Sequence, residues 1–147
     1  MTSSSTWVPL ALALVLGRAV AGDLAPPELP TGDALAPVSG LSARLVQDGR
    51  DNRFSAVQSG SANVLRAAQD GLGNTATVTQ GGRLQVVQLN QQGTGNQADV
   101  VQRGAANFAI VEQVGNANRA HVEQAGEGLV TRVAQYGDGL VARVVRH

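Results

Sequence analysis

The fold is decided by the stretch Gln69-Asp70-Gly71-Leu72-Gly73-Asn74-Thr75-Ala76, which leads to Gln80. Its glutamine and its first glycine recur every eleven residues along the chain without a gap. The glutamines are Gln47, Gln58, Gln69, Gln80, Gln91, Gln102, Gln113, Gln124 and Gln135. The glycines, each two residues after a glutamine, are Gly49, Gly60, Gly71, Gly82, Gly93, Gly104, Gly115, Gly126 and Gly137. A regular series of this kind indicates an internal structural repeat.

Three further rows of the repeat precede each glutamine at intervals of two residues. Small or apolar residues stand four and two residues before it, as Ala98 and Val100 do before Gln102. Six residues before it stand Asn52, Asn63, Asn74, Asn96, Asn107 and Asn118, with Gln85 once and Leu41, Leu129 and Leu140 in the other units. Successive side chains of a β-strand point to opposite faces, so these rows and the glutamines share one face. The positions between them are mostly polar and are predicted to face solvent.

Each unit is therefore predicted to be a strand of about seven residues followed by a turn of about four, in which glycine supplies a positive φ. Two facing strands make one rung, so the sequence predicts an all-β, amyloid-like β-solenoid. It has five rungs built from 22-residue repeats, and its ten strands run from Leu41–Gln47 to Leu140–Arg146. A second glycine at alternate turns (Gly73, Gly95 and Gly139, with Gly128 as an exception) is interpreted as the turn inside a rung. An eleven-residue period also fits a right-handed coiled coil, but strict alternation and a glycine in every unit exclude it.

Inward-facing amides need hydrogen-bond partners, because a buried polar group without one is costly. In a stacked solenoid each amide lies about 4.8 Å from its twin in the next rung, and we expect the two to bond along the axis. A polar strand facing solvent does not explain glutamines on the valine-bearing face. The two ends of such a solenoid are predicted to be open and to favour further stacking.

The first 40 residues differ from the repeats. Residues 1–21 are predicted to be a signal peptide, with an apolar run over Val8–Leu16 and cleavage after Ala21. The alternative is a buried apolar segment, for which the sequence offers no evident covering element. Residues 22–40 contain four prolines and are predicted to be a disordered linker, either a spacer or a secretion-targeting segment. The solenoid domain then covers 41–147.

Composition argues against several functions. The formal net charge is zero, which gives no support to nucleic-acid binding. The chain contains no cysteine and only two histidines, so we predict no catalytic residues, no metal site and no cofactor. Of the histidines, His121 lies on an outward position beside Glu123, which is typical of a surface residue.

The unit Gln-x-Gly-x-Gly-Asn-x-Ala-x-x-x-Gln, intact from Gln69 to Gln80 and from Gln91 to Gln102, resembles the curlin repeat, and the resemblance extends over 41–147. The order of leader, linker and five repeats is also similar to the layout of that family. The resemblance implies a secreted functional amyloid of bacterial biofilms, a curli fimbria or pilus with a role in cell adhesion. The implied partners are copies of the chain itself, a major curlin subunit and the outer-membrane curli secretion pore. The serine that the family often carries six residues before the first glutamine of a repeat is absent.

The last repeat departs from the pattern in the way the family's minor, nucleating subunit does. Leu129 and Leu140 replace the asparagines and Arg146 replaces the tenth glutamine. Together with Arg132 and Arg143, Arg146 is predicted to meet the cell surface, because these arginines face only Asp138. The resemblance therefore implies a nucleator at the bacterial surface. The alternatives are a major, fibre-building subunit and a monomeric secreted β-solenoid adhesin.

Overall fold

The computed structural model describes residues 12–16, for which only the backbone is considered, and residues 40–147. These residues form strands and turns and contain no helix. The strands are β1 Leu12–Leu16, β2 Ser42–Arg50, β3 Arg53–Ser61, β4 Val64–Leu72, β5 Thr75–Arg83, β6 Val86–Thr94, β7 Gln97–Ala105, β8 Phe108–Asn116, β9 Arg119–Glu127, β10 Val130–Tyr136 and β11 Val141–Arg146.

The strands stack into two sheets. Sheet A has the order β1-β3-β5-β7-β9-β11, and sheet B has the order β2-β4-β6-β8-β10. From β2 onward every pairing is parallel and joins residues 22 apart, as Gln69 to Gln91 in sheet B and Gln80 to Gln102 in sheet A. One strand of each sheet forms a rung, and five rungs follow one another from β2–β3 to β10–β11. The predicted five-rung β-solenoid with a 22-residue repeat is confirmed.

The core is a thin layer between the two sheets. The apolar rows lie there, with Val78, Val87, Val100 and Val122 fully buried. Alternate side chains are buried along the strands from β3 to β10, as the burial pattern of β5 and β6 shows. Since the core contains mostly alanine, valine and leucine, its apolar area per rung is small. Much of the remaining interior is filled by amides.

Most strands are longer than the sequence predicts. They contain nine residues, for example Arg53–Ser61, and leave only two residues for the turn. The reason is the first glycine of the turn, which has a positive φ in eight of the nine turns (all but that of Gly126) and in the interior pairs with the glycine of the next rung, as Gly71 does with Gly93. A Cβ atom on Gly71 would overlap the carbonyl oxygen of Gly93. The glycines thus form stacked columns in which the backbones approach too closely for any side chain.

The turns themselves share one conformation. The residue four positions after each glutamine has φ between 55° and 67° in all nine turns. Glycine occupies that position four times; the non-glycine residues are Asp51, Ala62, Leu84, Ala106 and Ala117. As the interpretation expects, Gly73, Gly95 and Gly139 lie in the turns inside rungs β4–β5, β6–β7 and β10–β11, and the exception, Gly128, lies between two rungs. Turns with and without the second glycine nevertheless have the same geometry. The glycine relieves backbone strain.

Strand β1 lies at the N-terminal edge of sheet A. It pairs antiparallel with β3, so that Leu14 is opposite Ala56. Five residues of the predicted signal peptide therefore have a backbone pairing partner, and the signal peptide itself stays a prediction. The rest of the signal peptide, its cleavage site after Ala21 and the linker up to residue 39 lie outside the described residues.

Candidate functional site

Seven hydrogen bonds join the inward glutamines of successive rungs. In each, Nε2 of one glutamine donates to Oε1 of the glutamine 22 residues later, at 2.6 to 3.1 Å. The ladder of sheet B runs from Gln47 to Gln135, and the ladder of sheet A runs from Gln58 to Gln124. These side chains are almost fully buried between the sheets, apart from Gln47 in the first rung. Five of these amides both accept from the twin of the rung before and donate to the twin of the rung after: Gln69, Gln80, Gln91, Gln102 and Gln113.

The direction of these ladders is fixed by the backbone. Nε2 of each glutamine from Gln58 onward also donates to the carbonyl oxygen of the residue 16 positions earlier, on the opposite sheet; Gln69, for instance, donates to Arg53 at 3.1 Å. A carbonyl oxygen only accepts hydrogen bonds, so turning the amide over would place two acceptors against each other. The NH₂ groups therefore all point toward the C-terminal end of the solenoid and the oxygens toward the N-terminal end.

The asparagines are bonded differently from the prediction. We expected each asparagine to bond to the asparagine of the next rung, but their partners are backbone groups. Oδ1 of Asn52 accepts from the backbone N–H of Asn74 at 2.9 Å, while Nδ2 donates to the carbonyl oxygens of Asp48 at 2.7 Å and Gly71 at 3.1 Å. The asparagine side chain thus forms hydrogen bonds both within its own turn and to the turn of the next rung. The reason is reach, because the shorter side chain stays within the turn, where backbone groups are nearest.

One interior unit shows why asparagine suits this position. Gln85 donates through Nε2 to the carbonyl oxygens of Gly81 and Gly104, as an asparagine would. Its Oε1, however, is buried without a hydrogen-bond partner. The extra methylene group moves the oxygen away from the N–H of Asn107. Gln85 therefore donates the two hydrogen bonds that an asparagine donates at this position, but accepts none.

The last rung, β10–β11, does not continue all of these contacts. Position 146 holds an exposed arginine opposite Gln124, so the ladder of sheet A ends there. Gln124 instead donates to the hydroxyl group of Thr131 at 2.9 Å and to the carbonyl oxygen of Leu129 at 3.1 Å. Leu129 and Leu140 have no group that reaches toward a further rung. Only Gln135 of sheet B keeps an amide at this end, and it donates across the core to Arg119.

The first rung presents the opposite chemistry. Oε1 of Gln58 is buried and has no hydrogen-bond partner. Gln47, the first glutamine of sheet B, donates to Gln69 and has no rung before it from which to accept. The N-terminal face of the solenoid, which is the exposed side of the β2–β3 rung, therefore offers unused acceptors, whereas the C-terminal face of the β10–β11 rung offers donors.

The three arginines of the last rung are not equivalent. Nη2 of Arg132 lies 3.8 Å from Oε2 of Glu112, so the prediction that Arg132 faces only Asp138 is wrong. Asp138 accepts from the backbone and side-chain amides of Asn116 instead. Arg143 and Arg146 are exposed and make no ion pair within 40–147. A contact of these two residues with the cell surface stays a prediction.

The outer faces carry few interacting groups. His121 contacts Asp99 at 3.0 Å, and Arg103 lies 3.4 Å from Glu123. Within the described residues, no three His, Asp or Glu side chains converge as metal ligands would. Residues 12–16 and 40–147 also provide no helix of the length and apolarity needed to cross a membrane.

Comparison with known proteins gives one finding. Residues 93–126 match a family model described as the curlin associated repeat. No curated protein and no solved structure matches the chain. The matched segment contains the second intact copy of the repeat, from Gln91 onward, apart from its first two residues. Together with the solenoid, the match supports the curlin family and indicates a structural protein rather than an enzyme.

Proposed function

We propose that the chain is a subunit of an extracellular, curli-type amyloid fibre, and that it nucleates polymerisation of a major curlin subunit at the bacterial cell surface. The subunit would be secreted through the outer-membrane curli pore. The fibre that it helps to form would serve biofilm formation and adhesion. The observation that carries the nucleating role is the contrast between complete ladders in the first four rungs and an interrupted ladder in the last.

The complete rungs support templating. Each of the first three rungs fixes the next one through backbone pairing, two glutamine bonds and contacts of the turn amides, so a partner subunit with the same repeat finds a preformed register. The last rung supports a different role. An arginine in a ladder row repels its copy in a stacked neighbour and, when exposed, is attracted to anionic lipid or lipopolysaccharide.

Seeding tests the nucleating role. A sub-stoichiometric amount of this chain, added to a freshly purified major curlin subunit, should remove the lag in thioflavin-T fluorescence. The control is an equal amount of preformed major-subunit fibre, which shows that the preparation can be seeded. An unchanged lag would contradict the nucleating role.

Surface attachment needs a separate test. A chain that lacks residues 129–147 should be released from the cells into the medium, because it lacks Arg143 and Arg146, the two arginines of the last rung without an ion pair in the described part of the chain. The control is Arg132→Gln, which removes the arginine that is already paired with Glu112 and should leave the protein on the cells. Retention of the truncated chain would contradict the anchoring role.

The major-subunit alternative is favoured by the same four complete rungs. A major subunit should polymerise readily by itself, whereas a nucleator of this construction should do so poorly because its last rung ends the ladder. The unseeded lag of the pure chain, compared with that of the major subunit, distinguishes the two roles.

A further inference from the structure

The two ends of the solenoid differ in which hydrogen-bonding groups remain unused. The ladders point in one direction along the axis, with oxygen toward the N-terminal face and NH₂ toward the C-terminal face. Stacking of two solenoids in the same register therefore brings the C-terminal face of one onto the N-terminal face of the other. In that arrangement Gln135 of one subunit would donate to Gln47 of the next.

The N-terminal face can receive both glutamine bonds and, at Gly49 and Asn52, the asparagine contacts that an interior rung receives. Its buried acceptor, Oε1 of Gln58, lacks the donor that the rung before would supply. By the pattern of the interior turns, the backbone N–H of Asn52 and the carbonyl oxygen of Gly49 would bind one asparagine side chain of an incoming subunit. These groups are fixed by β2 and β3 before any subunit arrives.

The C-terminal face cannot supply those contacts. An asparagine at position 140 would accept a hydrogen bond from the backbone N–H of Asn52 in the next subunit, but this position holds leucine. Position 146 would donate to Gln58 of that subunit, and it holds arginine, whose charge would be buried between the subunits without a counter-ion. Position 129, which would accept from the N–H of Leu41, is also leucine. Of the side-chain contacts, only the one from Gln135 remains.

We propose that this chain templates growth from its N-terminal face alone. The subunit it recruits carries asparagine and glutamine at the last-rung positions where this chain has Leu129, Leu140 and Arg146. This inference rests on the proposed nucleating function and adds to it the growing end and the recognition chemistry of the partner. The C-terminal face stays free of subunits, as contact with a surface requires.

The probe is this chain with its last rung restored by Leu129→Asn, Leu140→Asn and Arg146→Gln. Seeds and probe begin at Gly22, because β1 occupies the edge of β3 that a recruited subunit must pair with. Every side-chain hydrogen bond of the five rungs joins residues from Ser42 onward, so the shortened chain retains all of them.

Matched substitutions at the two ends of one ladder distinguish the growing end. Gln47→Arg removes the acceptor of the N-terminal face while an arginine can still donate to Gln69. Gln135→Arg makes the same substitution at the C-terminal face, where it also removes the acceptor for Gln113. Native seeds and Gln135→Arg seeds should shorten the thioflavin-T lag of the restored probe, and Gln47→Arg seeds should lose this activity. Equal seeding by both variants, or loss only with Gln135→Arg, would overturn the inference and leave nucleation intact.

Labelled seeds test the same point without altering either face. Seeds that carry a gold label on a cysteine introduced by Asn90→Cys, at an exposed outward position of the third rung, should be found at one tip of each probe fibre in electron micrographs. Labels in the interior of fibres would show growth from both faces and would contradict the proposal. If no seed shortens the lag of the probe, the nucleating function itself fails.

Discussion

The third rung, β6–β7, and the last rung, β10–β11, have the same strand geometry but different side-chain chemistry. In the third rung Gln91 and Gln102 each accept from the rung before and donate to the rung after. In the last rung Gln135 only accepts along the axis, and Arg146 lies exposed. The backbone stack can therefore continue where the side-chain ladder does not. Backbone pairing is therefore enough to form a rung, whereas the inward amides determine whether that rung can bind a further one.

The largest difference between the two rungs should appear at the glycine columns. Gly93→Ala places a Cβ against the carbonyl of Gly115 at φ 115°, whereas at Gly137 a Cβ meets only a leucine methyl group at 3.8 Å. We expect Gly93→Ala to lower the free energy of unfolding by about 4 kcal/mol, from strain plus overlap, and Gly137→Ala by about 1 to 2 kcal/mol, from strain alone. Urea titration followed by circular dichroism measures both. Equal losses would mean that φ alone requires these glycines.

A smaller difference is expected within the ladder of sheet B. Gln91→Leu removes the donor to Gln113 and the acceptor for Gln69, and should cost about 3 kcal/mol because buried amide groups lose partners. Gln135→Leu removes only one ladder contact and the bond to Arg119, and should cost about 1 to 2 kcal/mol. The same urea titration applies. A Gln135→Leu loss as large as that of Gln91→Leu would show that the ladder is no weaker at its end.

The smallest change should be a gain of stability. Gln85→Asn brings the side-chain oxygen to the N–H of Asn107 and should raise the free energy of unfolding by about 1 kcal/mol. Leu129→Asn places the same residue type in the same row, but at the end, where no further rung is present in the monomer. We expect a smaller gain there, because an asparagine at 129 can bond only within its own turn. If Leu129→Asn stabilises the monomer equally, the contact of the asparagine with the next rung contributes little to stability.

Much of this architecture follows from the period of the sequence. An uninterrupted eleven-residue series fixes which side chains share a face, and hence the five rungs and their 22-residue register. The partners of the asparagines were not predictable in the same way, because a row on the inner face does not reveal whether a side chain reaches its twin or the backbone. Gln85, the one longer residue in that row, was the available signal.

Two further features are not predicted by the sequence pattern: the positive φ of non-glycine turn residues and the ion pair of Arg132. The five non-glycine residues at positive φ, such as Leu84, look ordinary in the sequence, because a stacked backbone overrides their local preference. The pairing of Arg132 with Glu112 is diagonal, because the register places Arg132 opposite Ile110, and the 22-residue period alone therefore does not predict it.

The forward reach of the asparagines has a consequence for the order of folding. Between rungs, each interior asparagine side chain bonds to residues 19 and 22 positions later in the chain, and its contact with an earlier residue lies within its own turn, as that of Asn52 with Asp48 does. A completed rung therefore offers hydrogen-bonding groups to the residues that follow it, as the chain emerges N-terminus first from the ribosome or a narrow channel. We expect the solenoid to assemble directionally, with its early rungs ordered before its last rung is released.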